Sequence, residues 1–300
     1  TTEIYTLSLH DALPISINAN CIGRRDDQMK ITCLNVQNLN NHIEDVRHDH
    51  RLKEQNLFFL CETWLLGGQR HINMNNFSVD NYLTTYCNVG NGKGLAAYAE
   101  PIFKFEGKLC RSHCQLAKFS TSFLHWSGKV VDIDVIGLYR SGTNTDNAEF
   151  ISDLTSMIDM NKICIIMGDF NIRYSNDVFH MVTNELQNMN FIQIIDQPTH
   201  RDGGIIDHVY LFKPIGFEDV TVNFELYSPF YSDHSGVCLK INKGLNDFKH
   251  MPSSVPDYLI NTADISNADQ TDLGEGAGNK AATKRKPPKK SNERPQKRRR

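Results

Sequence analysis

The stretch ICIIMGDFN (163–171) places five apolar side chains directly before a glycine and the polar pair Asp169 and Asn171. A short apolar run that ends in such residues is typical of a buried β-strand followed by a turn. Aspartate and asparagine are frequent turn residues, so a plain turn explains this pair as well as a functional site does. The sequence therefore predicts a buried strand here, and the role of its polar end depends on the rest of the chain.

Similar apolar runs recur along the chain, separated by polar connections. They predict strands at 31–36, 57–61, 94–99, 115–120, 130–138, 163–167, 191–195, 205–211 and 236–241. Apolar residues at helical spacing predict helices over 147–160 and 177–190, and a more polar helix is expected over 42–54. Strands mixed with helices indicate an α/β layered domain, which we place at residues 29–243.

Polar side chains also lie at the ends of several other predicted strands, and Asp207 interrupts the apolar run IIDHVYL (205–211). In chain order they are Asn35, Glu62, Tyr139, Asp207, Asp233 and His234. Taken singly, Tyr139 could pack a strand end, Asp233 could cap a turn, and His234 could be a surface histidine. Six carboxylate, amide, phenol and imidazole groups placed in this way are harder to explain by a separate structural role for each. If the strands lie in packed sheets, their ends can converge on one edge and form a polar cleft.

These residue types match the needs of phosphodiester hydrolysis. Hard oxygen ligands hold Mg²⁺, and Glu62 is the natural ligand, with the amide of Asn35 beside it. The reaction also needs an aligned and deprotonated water, for which Asp169 is the candidate base.

The developing negative charge on the phosphate needs hydrogen-bond donors. Asn171, Tyr139 and His234 can supply them. A histidine that donates to phosphate needs a carboxylate behind it to fix its tautomer, and Asp207 can do this for His234 as in catalytic triads.

Six short motifs stand out by their order along the chain. They are LNVQNL (34–39), CETWL (61–65), GLYR (137–140), GDFN (168–171), IDHVY (206–210) and SDHSG (232–236). In this order the chain resembles the endonuclease/exonuclease/phosphatase superfamily. The resemblance implies a four-layer α/β sandwich, in which two mixed, mainly antiparallel sheets pack face to face with helices outside.

The resemblance also implies a divalent metal and a set of site residues. Mg²⁺, or Mn²⁺ in its place, would bind at Glu62 with help from Asn35 and Asp233. The implied catalytic residues are Asp169, Asn171, His234, Asp207, Tyr139 and Asp233. Nucleases of this kind leave 3′-hydroxyl and 5′-phosphate ends.

Two stretches, ETWL (62–65) and QPTHRDGGIIDHVY (197–210), are most similar to the apurinic-type endonuclease domains of transposable elements. Those elements include non-LTR retrotransposons and Helentron-type Helitrons, and the short stretch after the nuclease would match the Helentron arrangement. The resemblance implies DNA as the substrate and, in the parent gene, other domains of a transposon-encoded polyprotein as partners. We therefore expect a DNA-nicking endonuclease.

Four features depart from cellular apurinic-site endonucleases. Gln37 stands where those enzymes carry a carboxylate that helps to hold the metal, and Cys61 replaces the glutamine before the glutamate. YRSG (139–142) replaces Tyr-x-Pro-Asn, and SDHSG (232–236) lacks the proline after the histidine. Abasic-site specificity is therefore not expected, and metal affinity should be weaker.

The net charge of −3 conceals an uneven distribution. Residues 281–300 hold ten Lys/Arg and one Glu, a net of +9, so the other 280 residues hold 22 basic and 34 acidic side chains, a net of −12. The basic segment predicts nuclear localisation, with the cytoplasm as the alternative, and the acidic remainder suits a metal site. Residues 244–300 lack apolar periodicity and are predicted to be disordered.

The eight cysteines show no framework spacing, which fits a reducing compartment better than a disulfide scaffold. Four of them lie in apolar runs and are predicted to be buried thiols: Cys33, Cys61, Cys164 and Cys238. An irregular set of zinc-ligand types forms a weaker alternative: Cys110, His113, Cys114 and His125.

Residues 1–28 are expected to lie outside the fold. Residues 1–16, TTEIYTLSLHDALPIS, are similar to a translated sequencing adapter joined to a gene fragment. No apolar run reaches the roughly eighteen residues that a membrane-spanning helix needs, so no membrane partner is expected.

Two other functions stay open. A phosphoesterase of the same fold that acts on a small molecule or a phosphoinositide suits the acidic part of the chain, whereas the basic segment favours DNA. A catalytically decayed element could persist as a binding module. The intact polar motifs argue against decay, which should reach catalytic residues as readily as others.

Overall fold

The apolar runs form two six-stranded sheets in the computed structural model. The structure describes residues 28–65, 73–88, 93–125, 129–142, 147–174 and 176–242. The predictions for residues 1–27 and for the tail at 244–300 lie outside these ranges. Gln28, which was expected to precede the fold, begins the first strand. Among the described helices, none is long and apolar enough to cross a membrane.

Sheet A contains the first strand of the described chain and the last. Its members are β1 (Gln28–Asn35), β2 (Leu57–Cys61), β3 (Leu83–Asn88), β4 (Gly94–Ala99), β11 (Thr221–Tyr227) and β12 (Gly236–Asn242). The strand order is β11-β12-β1-β2-β4-β3. Strands β1 and β2 run parallel and all other neighbours are antiparallel, so the sheet is mixed.

Sheet B contains the stretch with the GDFN motif. Its members are β5 (Lys104–Cys110), β6 (Cys114–Leu124), β7 (Val130–Arg140), β8 (Ile163–Asp169), β9 (Ile192–Gln193) and β10 (Asp207–Phe212). The strand order is β5-β6-β7-β8-β10-β9, in which β7 and β8 run parallel and the other neighbours are antiparallel.

The two sheets pack face to face through alternate residues of their strands. Ile31 and Phe59 of sheet A lie in one buried cluster with Val135 and Ile165 of sheet B. Side chains of a strand alternate between its two faces, so the intervening residues point outward and need a second cover. Gly137 leaves room for the ring of Phe59, since a Cβ there would lie 2.1 Å from it.

Helices cover both outer faces. On sheet A they are α1 (Leu39–His48), α2 (His50–Lys53) and a 3₁₀ turn (Met74–Phe77), and on sheet B they are α3 (Asn147–Thr155) and α4 (Asp177–Asn188). Leu34 packs outward with Val46 of α1, and Ile166 packs outward with Val182 of α4. The predicted four-layer α/β sandwich is confirmed.

Several predicted elements were wrong in extent. The helix expected over 42–54 is interrupted at Asp49, whose side chain caps α2 by accepting from two backbone amides. The helix expected over 147–160 ends at Thr155. The strand expected at 191–195 has only two residues, and Asp207 begins β10 rather than interrupting it. Strands β3, β5 and β11 were not predicted, because their residues are partly exposed and include many polar ones.

The cysteines behave in two ways. The four predicted thiols are free and buried. Cys87 and Cys110, by contrast, form a disulfide that joins β3 to β5, although the cysteine spacing had favoured a reducing compartment over a disulfide scaffold. Their separation of 23 residues gave no sign that edge strands of different sheets would meet. The zinc alternative at Cys110 is wrong, because that sulfur is in the disulfide and His125 faces Asp219 instead.

Candidate active site

Two hydrogen bonds between side chains join the sheets at the edge where the polar residues lie. Asn35, at the end of β1, donates from Nδ2 to Oδ2 of Asp169 at the end of β8, over 2.8 Å. The Tyr139 hydroxyl of β7 donates to Oε1 of Glu62, which follows β2, over 3.2 Å. The strand ends therefore converge as the sequence led us to expect.

A third contact of this kind involves His234, which lies just before β12 and is buried. Its Nδ1 is 2.8 Å from Oδ2 of Asp207, the first residue of β10. The hydroxyl of Ser232 accepts from the backbone N–H of His234 at 3.0 Å and donates to the Asn35 carbonyl of β1 at 2.6 Å. The imidazole is thus held between the two sheets with Nε2 directed away from Asp207.

The charge of His234 depends on its acidic neighbours. Burial alone would lower the pKa of His234, but the negative charge of Asp207 and the hydrogen bond to it raise that pKa, with smaller contributions from Asp169 and Asp233. The net effect raises the pKa of His234 to about 9. The imidazole is therefore positively charged at neutral pH and can donate a hydrogen bond from each nitrogen.

Asp169 is fully buried and anchored at both oxygens. Oδ1 accepts from the backbone N–H of Asn171 at 2.8 Å, and Oδ2 accepts from Asn35 and from the Asn171 amide, the latter at 3.3 Å. Burial and then the charge of Asp207 raise the pKa of Asp169 to about 7, although His234 and the hydrogen bonds from the two asparagines oppose the change. This carboxyl group can exchange a proton near neutral pH.

Glu62 keeps 18% of its side chain exposed, whereas Asp169 and Asp207 are buried. The Lys93 ammonium lies 3.8 Å from Oε1, the atom that also accepts from Tyr139. Burial, followed by the charge of Glu62, raises the pKa of Tyr139, so the phenol stays protonated and acts as a donor.

Unusual backbone conformations cluster at this edge. Four non-glycine residues near the site have φ between 51° and 55°: Gln37, Glu62, Trp64 and Asn171. Such conformations cost roughly 1 kcal/mol or more each and persist only where the surroundings impose them. Gly168 of the GDFN motif has φ 154°, and a Cβ there would lie 1.8 Å from the Leu138 carbonyl oxygen, so no other residue fits.

Asp233 has partners that the sequence did not indicate. Its Oδ1 accepts from Nε2 of Gln37 at 2.5 Å, and its Oδ2 lies 3.3 Å from Nε2 of His200. In the sequence, Gln37 was singled out only because it stands where cellular apurinic-site endonucleases carry a carboxylate. His200 was missed, since its only signal was an imidazole in the connection between β9 and β10.

Some residues of the motifs point away from the cleft. Arg140 of GLYR is buried and donates to the Phe170 carbonyl and to Oδ1 of Asn147, at 3.3 and 2.8 Å. Its own carbonyl accepts from the Asn171 amide at 2.8 Å. Arg140 therefore braces the loop that carries Asn171 and is not available to a substrate.

Ligand atoms for a cation occur in three groups within the described ranges, each within 4.8 Å: Asp169, Asp207 and His234; His200, Asp233 and His234; and His113, Cys114 and Asp153. Glu62 belongs to none of them. The Asn35 amide nitrogen faces Asp169, and its oxygen accepts from the Gln37 backbone N–H at 2.9 Å. The roles of Asn35, Glu62 and Asp233 as metal ligands stay predictions.

No protein-family model and no curated protein sequence matches the chain. Solved structures do. The endonuclease domain of TRAS1, a telomere-specific non-LTR retrotransposon, aligns at TM-score 0.55 and 10% identity over 73% of this chain and 100% of that one. An AP endonuclease from Archaeoglobus fulgidus aligns at 0.52 and 14%, over 70% and 98%. An endonuclease/exonuclease/phosphatase family protein from Leptotrichia buccalis aligns at 0.51 and 14%, over 71% and 99%.

This chain has the endonuclease/exonuclease/phosphatase fold. The matches extend over nearly the whole of each solved structure, and identities of 10–14% make them evidence for the fold alone. Within that fold, the hydrogen bonds from Asn35 to Asp169, from Tyr139 to Glu62 and between His234 and Asp207 are observations on this chain's own residues.

Proposed function

We propose that this protein is a Mg²⁺-dependent phosphodiesterase that nicks DNA and leaves 3′-hydroxyl and 5′-phosphate ends. One observation carries the proposal. A charged histidine oriented by a carboxylate and a second, doubly anchored carboxylate lie together, with ligand atoms of His234, Asp207 and Asp169 within 4.8 Å of one another. This arrangement supplies both a donor to phosphate and a base for water.

The oxygen donors at the site fit a hard divalent cation. Glu62 and Asp233 offer carboxylates and Asn35 an amide oxygen, the ligand types that Mg²⁺ or Mn²⁺ accepts. The Lys93 ammonium lies 3.8 Å from Oε1 of Glu62, so this carboxylate already pairs with a positive group. When bound, Mg²⁺ would neutralise phosphate charge and stabilise the leaving oxygen.

The protein's own groups account for the proton transfers. Asp169 accepts the proton of the attacking water, and the donors from Asn35 and Asn171 hold its carboxylate in one orientation. His234 donates from Nε2 to a phosphate oxygen, while Asp207 holds Nδ1 and sustains the positive charge. Tyr139 is kept protonated and donates its single hydroxyl hydrogen to Glu62. With Glu62 engaged by a cation, that hydrogen would be free to turn to the same phosphate.

DNA is the proposed substrate for two reasons. Trp64, two residues after Glu62, is 39% exposed, and Phe230, four residues before His234, is 85% exposed. Exposed aromatic rings beside a phosphodiesterase site suit stacking on nucleobases. The basic segment 281–300 adds affinity for a polyanion and would direct the protein to the nucleus.

The source of the domain is proposed to be a transposable element, where other polyprotein domains would be its partners. The likeness to the TRAS1 endonuclease domain supports this proposal. None of the structures named above concerns a Helentron, so that assignment stays a prediction. A decayed remnant is disfavoured because the hydrogen bonds of His234 and Asp169 are all in place.

The test is conversion of supercoiled plasmid to open circles in Mg²⁺, with chelator as the blank. Glu62→Gln should lower the rate by at least about 100-fold, because loss of an outer metal partner alone costs 10–100-fold. Glu54→Gln is the matched control, since Glu54 is exposed and pairs only with Lys30 among the described contacts. Plasmid with abasic sites should be cut no faster than intact plasmid.

Two results would contradict the proposal. Full nicking by Glu62→Gln at limiting Mg²⁺ would remove Glu62 as a ligand. Turnover of a small phosphodiester or a phosphoinositide without any nicking would favour the small-molecule phosphoesterase instead.

A further inference from the structure

A second imidazole faces the site from the loop between β9 and β10. His200 forms a β-bridge with His234, and the two ring centroids are 4.8 Å apart with the rings nearly perpendicular, at 80°. The backbone N–H groups of Arg201 and Ser235 donate to the Asp233 and Thr199 carbonyls on either side. The backbone therefore holds the two histidines in register.

Both imidazoles approach one carboxylate with the same ring atom. Nε2 of His200 lies 3.3 Å from Oδ2 of Asp233, and Nε2 of His234 lies 3.9 Å from Oδ1. One ligand atom from each of the three residues lies within 4.8 Å of the others. A single cation can reach all three after small side-chain movements.

The opposite ring nitrogens are both occupied by carboxylates. Nδ1 of His200 is 2.7 Å from Oδ1 of Asp202, and Nδ1 of His234 is 2.8 Å from Oδ2 of Asp207. Asp202 is itself held by Arg173 and by the backbone N–H of Gly204. Metal-binding histidines almost always donate their second N–H to such a partner, which directs the other nitrogen at the ion.

These ligand types select a class of cation. Two imidazole nitrogens and one carboxylate suit first-row transition ions, Zn²⁺ above all, whereas Mg²⁺ prefers oxygen ligands. Side chains of His200 and Asp233 are 21% and 27% exposed, so an ion can enter from solvent. We propose that His200, Asp233 and His234 form a Zn²⁺ site, and that Zn²⁺ bound there inhibits hydrolysis.

Inhibition is expected because the ion would bind groups that hydrolysis needs. This part of the proposal rests on the proposed function. Zn²⁺ would displace the proton on Nε2 of His234 into solvent and take the freed lone pair, so that nitrogen could no longer donate to phosphate. Asp233 would be drawn toward Zn²⁺ and away from Mg²⁺.

Binding is tested without catalysis. Equilibrium dialysis of the full chain against Zn²⁺, followed by elemental analysis, should show one ion bound with an affinity that His200→Gln lowers by more than about tenfold. Asp202→Asn should lower it by about 10–100-fold through loss of the outer partner. His180→Gln, which changes an exposed histidine of α4, should leave it unchanged. Melting curves of each variant report whether the fold is intact.

Spectroscopy locates the ion. Co²⁺ in place of Zn²⁺ should give d–d absorption bands that disappear in His200→Gln and persist in His180→Gln. A cobalt–thiolate charge-transfer band would place the ion at the His113, Cys114 and Asp153 group and overturn the proposal. Equal Zn²⁺ affinity of wild type and His200→Gln would overturn it too.

The inhibitory effect is measured with each variant normalised to its own rate in Mg²⁺ alone. Added Zn²⁺ should inhibit nicking by wild type, and His200→Gln should need at least about tenfold more Zn²⁺ for the same fractional inhibition. Zinc binding without inhibition would refute the inhibitory role and keep the site. Absence of nicking in Mg²⁺ would refute the proposed function, while the dialysis result would still decide the site.

Discussion

The Asn35 side chain of sheet A donates to the buried carboxylate of Asp169 in sheet B, and the two atoms are 2.8 Å apart. The residues are 134 positions apart in the sequence. This hydrogen bond fixes the proposed base relative to β1, the strand that also carries the carbonyl to which Ser232 donates. A single contact thus relates the base on one sheet to the loop that holds His234.

Replacing Asn35 by Leu should lower both stability and activity. It removes one donor from a buried carboxylate, and a hydrogen bond to a charged group is worth roughly 1.5–3 kcal/mol. The measurement is the free energy of unfolding in denaturant, together with the nicking rate under folding conditions.

Asn56→Leu is the matched control for that variant. Asn56 also donates to a carboxylate, Glu100, over 2.8 Å, but it precedes β2 and so lies at the other end of the strand from Glu62. The Asn56→Leu variant should be less stable than wild type and keep the nicking rate of wild type. Equal loss of nicking in both variants would mean that the Asn35 effect is only structural.

Asp169→Asn and His234→Ala should each lower the nicking rate by roughly 10²–10⁴-fold, since a positioned base or donor contributes that much. Combined, they should lose far less than the product of the single effects, because both serve one step. The nicking rates of wild type, the two single variants and the double variant at saturating Mg²⁺ give the coupling between the two residues. Fully multiplicative losses would show that the two residues act independently.

We expect acid to destabilise the fold because His208 is buried. It is buried among aromatic rings and stacks on Phe170 at 4.9 Å, and burial lowers the pKa of His208 from 6.5 to about 4. The unfolded chain binds this proton below pH 6.5 and the folded chain only below about 4. The free energy of unfolding is therefore unaffected by protonation of His208 above pH 6.5. It falls as the pH drops toward 4, by about 3 kcal/mol in all, because the unfolded chain takes up the proton first.

The check is the free energy of unfolding across this pH range for wild type and His208→Phe, which keeps an aromatic ring and removes the titrating group. The difference between the two proteins should change with pH in that window and be constant above it. A difference that is independent of pH would contradict the prediction.

Deleting residues 281–300 should raise the apparent KM for DNA and flatten its salt dependence, with kcat nearly unchanged. This segment carries +9, and each phosphate that it neutralises contributes a slope of roughly −0.9 in log–log salt plots. Turnover of a small phosphodiester should not change. A tail of equal length with its Lys and Arg replaced by Gln separates charge from length, and equal salt slopes for all three proteins would rule out the tether.

The sequence predicted the fully buried strands best. Strands β2 and β4 begin and end where the apolar runs LFFLC and GLAAYA do, because every residue in them is buried. Strand β5, KFEGKLC, is mostly exposed and carries no continuous apolar signal. Its pairing with β6 comes from the neighbouring strand rather than from its own composition.

The sequence by itself determined the layered α/β class and the chemical groups at the strand ends, since an apolar run followed by a carboxylate, amide or imidazole is a local pattern. Only the tertiary structure decided which of these groups meet. Sheet order and packing place Asn35 on Asp169, Tyr139 on Glu62, and His200 beside Asp233. Contacts across two packed sheets depend on register and on the separation of the layers, and neither quantity is encoded in the spacing of residues along the chain.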